Sequence, residues 1–280
     1  MQTLTRKLVL CADDFGYNES VSKGILDLIE RGKISATSCM PQFPAWRRYG
    51  AELAALPGCD FGLHFNLTEI PPESDDSCKR GIKSVNNWMI SSISGGIDTR
   101  FVAEEFDKQI NGFVEVTGRL PDYIDGHQHV HQFPGIREVI VDKIGDYYRD
   151  ADKPYVRNTR AVVDSGVNPV KAWVISHFGT KKFNHLLMRN GIRCNKYFSG
   201  IYDFTNVGHY EKYFQLWLEK MPDSMLMMCH PGLYDPEENA TDPIGKSRHI
   251  EYQFFSGSNY ESLLDTYQVE TVQFSRTENI

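Results

Sequence analysis

The sequence predicts an α/β fold in which about seven parallel strands form one closed or nearly closed (β/α) barrel with the helices outside. Short apolar runs alternate with segments of helical periodicity along the whole 280-residue chain, a pattern typical of parallel strands joined by helices. No Pro-, Gly- or Ser-rich linker divides the chain into halves. We therefore expect a single barrel domain over residues 1–280, with an open doubly wound sheet as the alternative.

Each apolar run is short and ends at a polar residue or a glycine, as buried parallel strands do. The predicted strands are 7–11, 35–40, 61–67, 123–127, 155–157, 196–199 and 225–229. The segments with helical spacing follow them, and the first has Asn18 as its expected N-cap. The predicted helices are 18–32, 46–58, 101–116, 136–147, 170–189, 210–220 and 260–267.

Residues 70–98 depart from this alternation. The stretch is acidic and contains an isolated tryptophan, Trp88. Loops of this length are usually functional lids or disordered insertions, and both alternatives stay open.

Composition excludes several classes of partner. The net charge is −7 and no basic run exceeds a pair of residues, which argues against a nucleic-acid partner. No window approaches the roughly 18 apolar residues that span a bilayer, and the N-terminal apolar stretch is too short for a signal peptide. We expect a cytoplasmic protein without a membrane partner, for which a homodimer is an open possibility.

Four of the predicted strands end in acidic or histidine residues: Asp13 and Asp14, then His64, His127 and His230. In an α/β barrel the carboxyl ends of the strands share one mouth, where active sites are assembled. For one aspartate, capping of the next helix would be the better explanation. Two adjacent carboxylates beside an apolar strand need a cation or hydrogen-bond donors to compensate them.

The densest signal is the histidine cluster at residues 125–131. His127, His129 and His131 would lie on one face if the segment stayed extended, and neutral imidazoles suit borderline divalent metals. Asp125 is a candidate partner that fixes the tautomer of a ligand histidine. For Arg157, at the end of the fifth strand, a surface ion pair is the alternative to a role in the site.

One aspartate with two histidines leaves coordination positions open, as catalytic metal sites require. The same ligands also fit a 2-His-1-carboxylate iron oxygenase. A metal- or sugar-binding barrel without activity is a third possibility. The residues therefore indicate a metal site without fixing its reaction.

Four motifs in order resemble the YdjC/ChbG carbohydrate deacetylases: ADDFG at 12–16, GLHFNLT at 62–68, DGHQHVH at 125–131 and CHPG at 229–232. The resemblance covers the chain from about residue 8 onwards. It implies a distorted, TIM-like (β/α) barrel that removes acetyl groups from N-acetylated sugars such as chitooligosaccharides. It also implies a divalent metal, Mg²⁺ or Zn²⁺, at the positions of Asp14, His64 and His127.

The family's likeness in site logic to the NodB-type deacetylases implies Asp13 as the general base and His230 as the general acid. We expect Arg157 to keep Asp13 ionised. Gln128 departs from the pattern, because relatives often have another histidine there. The remaining candidates are expected to bind substrate or support the site: Asn66, Trp88, Asp125, His129 and His131.

Overall fold

The structure is a computed structural model that describes residues 5–71, 81–149, 151–159, 180–204 and 207–277. Its central strand is β1, Arg6–Phe15, and every residue of this strand from Leu8 onwards is buried. The apolar run up to Ala12 suits a strand that is covered on both faces. β1 therefore lies at the centre of the fold.

The sheet is parallel throughout. Its strands are β1 (Arg6–Phe15), β2 (Ala36–Cys39), β3 (Asp60–Phe65), β4 (Tyr123–Gly126), β5 (Tyr155–Val156), β6 (Phe198–Ser199), β7 (Ser224–Cys229) and β8 (Val269–Thr271). Seven of them run in the order β5-β4-β3-β2-β1-β7-β6, and β8 pairs with the first residues of β1. The predicted fold class is confirmed, because these seven strands form a curled half-barrel with helices around it.

The helices connect the strands. They are α1 (Glu19–Glu30), α2 (Pro44–Ala55), α3 (Val85–Ser94), α4 (Thr99–Thr117), α5 (Ile136–Tyr147), α6 (Thr180–Arg189), α7 (Tyr210–Lys220), α8 (Pro236–Thr241), α9 (Gly245–Ser256) and α10 (Ser258–Tyr267). The predicted cap of the first helix is confirmed, since the side chain of Asn18 accepts a hydrogen bond from the backbone of Val21. Among the described residues, none of these helices combines the length and apolarity that a bilayer crossing requires.

Three sequence-based expectations need correction. The first strand continues to Phe15 instead of ending at residue 11, and the fourth ends at Gly126, one residue before His127. The expected loop at 70–98 contains helix α3, and its residues 72–80 lie outside the described ranges, as do residues 170–179 of a predicted helix. Helices α8 and α9 and strand β8 were not predicted.

Candidate active site

Asp13 and Asp14 both face the mouth of the half-barrel, although neighbouring residues of a regular strand point to opposite faces. The reason is a local irregularity at the end of β1. The pairing register with β2 shifts between Ala12 and Phe15, and Asp14 has a φ of 71°. Irregularities of this kind redirect side chains near active sites, and here they direct the two carboxylates to different partners.

Asp13 forms a two-pronged ion pair with Arg157. Both side chains are buried, and the two terminal nitrogens of Arg157 donate to Oδ2 and Oδ1 of Asp13 at 2.7 and 2.6 Å. Burial opposes ionisation of Asp13, but the guanidinium outweighs burial and holds the pKa of this carboxyl well below its ordinary value. The expected contact between Arg157 and Asp13 is therefore present, and Asp13 is ionised at neutral pH.

Asp14, His64 and His127 converge on one point. Oδ1 of Asp14 lies 3.3 Å from Nε2 of His64 and 3.1 Å from Nδ1 of His127, and these two nitrogens are 3.4 Å apart. Metal–ligand bonds of about 2.0–2.1 Å place neighbouring ligand atoms about 2.9–3.4 Å apart. The three atoms thus have the spacing of one face of a small coordination shell, and the residues fit a divalent cation.

Each histidine of this triad has a second carboxylate behind it. Nδ1 of His64 lies 2.6 Å from Oδ1 of buried Asp125, and Nε2 of His127 lies 3.8 Å from Oε1 of Glu69. A histidine that binds a metal through one nitrogen usually gives its other N–H to such a partner. Asp125 therefore has the supporting position that the sequence suggested.

The electrostatics of the triad favour positive charge. Burial lowers the pKa of His64, but Asp125 outweighs burial and raises the pKa to about 10. At His127, Asp14 likewise outweighs burial and raises the pKa above its ordinary value. An environment that attracts a proton to these imidazoles also attracts a cation.

A second cluster of possible ligands, formed by Cys11, Asp13 and Asp125, differs from the triad. Arg157 already contacts it, because one guanidinium nitrogen lies 3.0 Å from the sulfur of Cys11 and 2.7 Å from Asp125. Burial raises the pKa of the Cys11 thiol to about 12. The guanidinium of Arg157 already lies against all three side chains, so this cluster fits a cation less well than the triad does.

The segment after β4 does not stay extended, so the three imidazoles do not share one face. Residues His127–Gln132 form tight helical turns with a kink, at which Gln128 and His129 have left-handed φ values of 51° and 60°. His129 packs edge-on against Phe198, while Nε2 of His131 lies 2.9 Å from the carbonyl oxygen of Arg157. Only His127 of the three joins the triad, since the left-handed residues turn the other rings away.

His230 follows β7 and lies beside Asp13. Its Nε2 is 3.9 Å from Oδ2 of Asp13, and its ring is edge-on to Phe204. Burial lowers the pKa of His230 to about 4, so the imidazole is neutral at pH 7. Its backbone N–H donates to Glu251 at 2.5 Å.

Two of the residues expected to bind substrate or support the site, Asn66 and Trp88, make hydrogen bonds within the protein. The side chain of Asn66 accepts hydrogen bonds from the backbone of Thr68 and Glu69 and donates to the carbonyl of Glu69, so it shapes the turn that presents Glu69. Trp88 is 1% exposed, and its indole N–H donates to the carbonyl of Leu67 at 2.9 Å. The burial of this ring favours a supporting role for Trp88 over contact with a sugar.

The sequence did not predict the contributions of Glu69 and of helix α9. Arg248 and Glu251 of α9 occupy the buried face of this helix with Phe255. A charged residue at a core position of a helical repeat is the signal that could have revealed them, because charges are rarely buried unless they are paired. Glu69 has no such signal, since its place near His127 depends on the turn that Asn66 shapes after β3.

The sequence was compared with models of known protein families. The model for YdjC-like proteins matches residues 7–266, most of the chain. The chain belongs to the YdjC-like protein family. The resemblance that the four motifs indicated is thereby confirmed, and the motifs of this YdjC-like chain are the segments that provide the triad, Asp13 and His230.

Individual relatives agree with this assignment. The human carbohydrate deacetylase is 32% identical over 171 residues, which are 58% of this chain and 50% of that protein. The chitooligosaccharide deacetylase of Enterobacter sp. (strain 638) is 32% identical over 134 residues, 48% of this chain and 53% of that one. The YdjC-like chain thus spans about half the length of the curated relatives it matches.

One solved structure matches nearly the whole fold. A protein of Enterococcus faecalis, named provisionally for cellobiose-phosphate cleavage, superposes with a TM-score of 0.69 over 96% of this chain and 97% of its own, at 21% identity. At this identity the likeness concerns the fold alone.

Proposed function

We propose that this chain is a metal-dependent carbohydrate deacetylase, which removes N-acetyl groups from acetylated amino sugars such as chitooligosaccharides. The main support is the convergence of Asp14, His64 and His127 on one point beside the ion-paired Asp13. Relatives named carbohydrate deacetylase and chitooligosaccharide deacetylase support the reaction and the substrate class.

Asp14, His64 and His127 would hold a divalent cation, Mg²⁺ or Zn²⁺. Such a cation polarises an amide carbonyl and lowers the pKa of water toward about 7. Asp125 supports this arrangement by accepting a hydrogen bond from Nδ1–H of His64. The proton then stays on Nδ1, and the lone pair of Nε2 is free for the cation. Glu69 has the same relation to His127 at a longer distance.

Asp13 is the proposed general base. As water adds to the acetamide carbon, its proton passes to the carboxylate of Asp13, which Arg157 keeps ionised and fixed through two hydrogen bonds. A positioned base of this type contributes roughly 10²–10⁴-fold to the rate. Arg157 itself, being completely buried, acts through Asp13.

His230 is the proposed general acid. The leaving amine needs a proton when the C–N bond breaks. Since His230 is neutral at rest, it has to receive that proton first, and Asp13 is the nearest donor at 3.9 Å. The proton taken from water would thus pass from Asp13 to His230 and then to the amine, giving acetate and a free amino sugar.

Acetate release tests the proposal. The purified chain would be incubated anaerobically with N-acetylglucosamine oligomers, with and without a chelator, beside a His64→Ala variant. We expect acetate only from the parent protein without chelator. An iron oxygenase would need O₂ and a reductant, and a non-catalytic binding protein would release nothing, so the absence of chelator-sensitive acetate would contradict the proposal.

A further inference from the structure

Helix α9 contacts both Asp14 of the proposed metal site and the backbone of His230, the proposed acid, although none of the four motifs includes this helix. Arg248 and Glu251 lie one turn apart on its buried face. Arg248 contacts Asp14, and Glu251 accepts the backbone N–H of His230. One rigid helix is therefore attached to a proposed metal ligand and to the strand end that presents the proposed acid.

Arg248 is placed between two carboxylates. Its Nη2 donates to Oδ2 of Asp14 at 2.8 Å, and its Nε donates to Oδ2 of Asp242 at 2.6 Å. The arginine and Asp14 are both buried, so solvent screens this contact little. Asp242 fixes the guanidinium from the far side, and the guanidinium in turn fixes the orientation of Asp14.

The two oxygens of Asp14 consequently face different partners. Oδ2 is engaged by Arg248, whereas Oδ1 faces the nitrogens of His64 and His127. With Oδ2 engaged, only one oxygen of the carboxylate is available to a cation. A carboxylate that binds through one oxygen leaves more coordination positions for water and substrate than one that binds through two.

The turn after His230 packs closely against Arg248. The backbone N–H of Gly232 donates to the carbonyl of Arg248 at 3.0 Å, and a Cβ at position 232 would lie 3.3 Å from Cβ of Arg248. This contact is tighter than most Cβ contacts, so a side chain at position 232 would require the turn or Arg248 to shift by a few tenths of an ångström. The glycine of the CHPG motif therefore has a packing role toward Arg248.

We propose that Arg248 is a positioning residue of the site, which holds Asp14 so that a single oxygen, Oδ1, is directed at the cation position. The inference rests on the proposed function, because it presupposes that Asp14 is a ligand. Lysine is not equivalent to arginine here, since one ammonium group cannot reproduce the fork that joins Asp14 to Asp242.

Cobalt binding tests the proposal without relying on activity. Metal-free protein would be titrated with Co²⁺ alone, and the visible absorption of bound Co²⁺ would report ligand geometry while the titration gives Kd. The variants are Arg248→Met and Arg248→Lys. The control is Arg119→Met, because Arg119 is also an arginine paired with an aspartate, Asp122 just before β4, and it lies outside the proposed site.

We expect Arg248→Met to weaken Co²⁺ binding roughly 10–100-fold, the usual effect of losing a partner of a ligand, and to change the absorption spectrum. Arg248→Lys should recover part of the affinity, and Arg119→Met should match the parent in both readouts. Unchanged Kd and spectrum in Arg248→Met would overturn the proposal. If Arg248→Met does not fold, Arg248→Lys is compared with Arg119→Lys in the same Co²⁺ titration. Equal Kd values and equal spectra for these two variants would also overturn the proposal.

Failure of this inference differs from failure of the proposed function. A parent protein that binds Co²⁺ and loses it in His64→Ala, with an Arg248→Met variant equal to the parent, would overturn only the role of Arg248. A parent protein that binds no Co²⁺ at this site would overturn both.

Discussion

Arg157 donates hydrogen bonds to both carboxylate oxygens of Asp13, and one of the same guanidinium nitrogens lies 2.7 Å from Asp125. The proposed base and the carboxylate behind His64 are therefore joined by one buried cation. Asp13, Asp14 and Asp125 are buried close together, and two arginines offset the repulsion between their charges. Arg157 contacts Asp13 and Asp125, and Arg248 contacts Asp14. Removing one member of such a buried pair typically costs about 3–5 kcal/mol of stability.

Asp13→Asn should separate catalysis from metal binding. The amide keeps the shape of the carboxylate but cannot accept a proton from water, so we expect kcat to fall by roughly 10²–10⁴-fold. Bound metal, measured by elemental analysis, should equal that of the parent, because Asp13 is not in the triad. If Asp13→Asn left the protein as active as the parent, another group would have to be the base.

His127→Ala should remove the metal itself. Loss of one of three proposed ligands is expected to weaken metal binding by more than the roughly 10–100-fold that supporting residues contribute. His129→Ala is the matched control, since this ring is two residues away and packs on Phe198. The measurement is Kd for Zn²⁺ by calorimetry. If the two variants lose affinity equally, the assignment of His127 is wrong.

Sequence periodicity was sufficient for the fold and for the strand ends that meet in the site. Apolar runs identify buried strands, and parallel strands necessarily bring their carboxyl ends together. Asp13, Asp14, His64 and His230 could therefore be grouped from the sequence. What brings Asp13 and Asp14 to the same side is the left-handed φ of Asp14, and no local pattern in the sequence encodes that conformation.

The local geometry and long-range contacts that the sequence could not predict arise from tertiary structure. An extended segment would have placed His129 and His131 on one face with His127, but the left-handed φ values of Gln128 and His129 break that geometry. Arg248 lies 234 residues from Asp14 in the chain. Its contact with Asp14 arises from the packing of α9, which spacing within a single sequence does not reveal.

Trp88→Phe should affect stability and leave substrate binding unchanged. Phenylalanine lacks the indole N–H, so the carbonyl of Leu67 keeps only the backbone N–H of Lys83 as a donor, and loss of one hydrogen bond costs about 0.5–1.5 kcal/mol. Trp46→Phe is the matched control, because its indole N–H also donates to a backbone carbonyl, that of Gly112, at 2.9 Å. We expect both variants to lower the Tm and neither to change KM. A rise in KM specific to Trp88→Phe would indicate that this ring contacts substrate after all.

The carboxyl of Glu251 is expected to make stability depend on pH. It is fully buried, and burial raises its pKa from 4.5 to about 7, although Tyr202 and the backbone of His230 donate to it. Below pH 4.5 the group is protonated in both the folded and the unfolded chain. Between pH 4.5 and about 7 only the folded chain retains the proton, so the stabilisation is lost as pH rises through this window.

Glu251→Gln removes the titration while keeping the size and an acceptor for His230. The free energy of unfolding of the parent, minus that of the variant, should therefore fall by up to about 1.4 kcal/mol per pH unit between about pH 4.5 and 7 and stay level above and below. Urea unfolding at intervals from about pH 4 to 8 measures this difference. Glu104→Gln, on the exposed face of α4, should give a level difference over the same range. A level difference for Glu251→Gln as well would show that Glu251 titrates alike in the folded and unfolded chains, and that the hydrogen bonds from Tyr202 and His230 offset the cost of burying the charge.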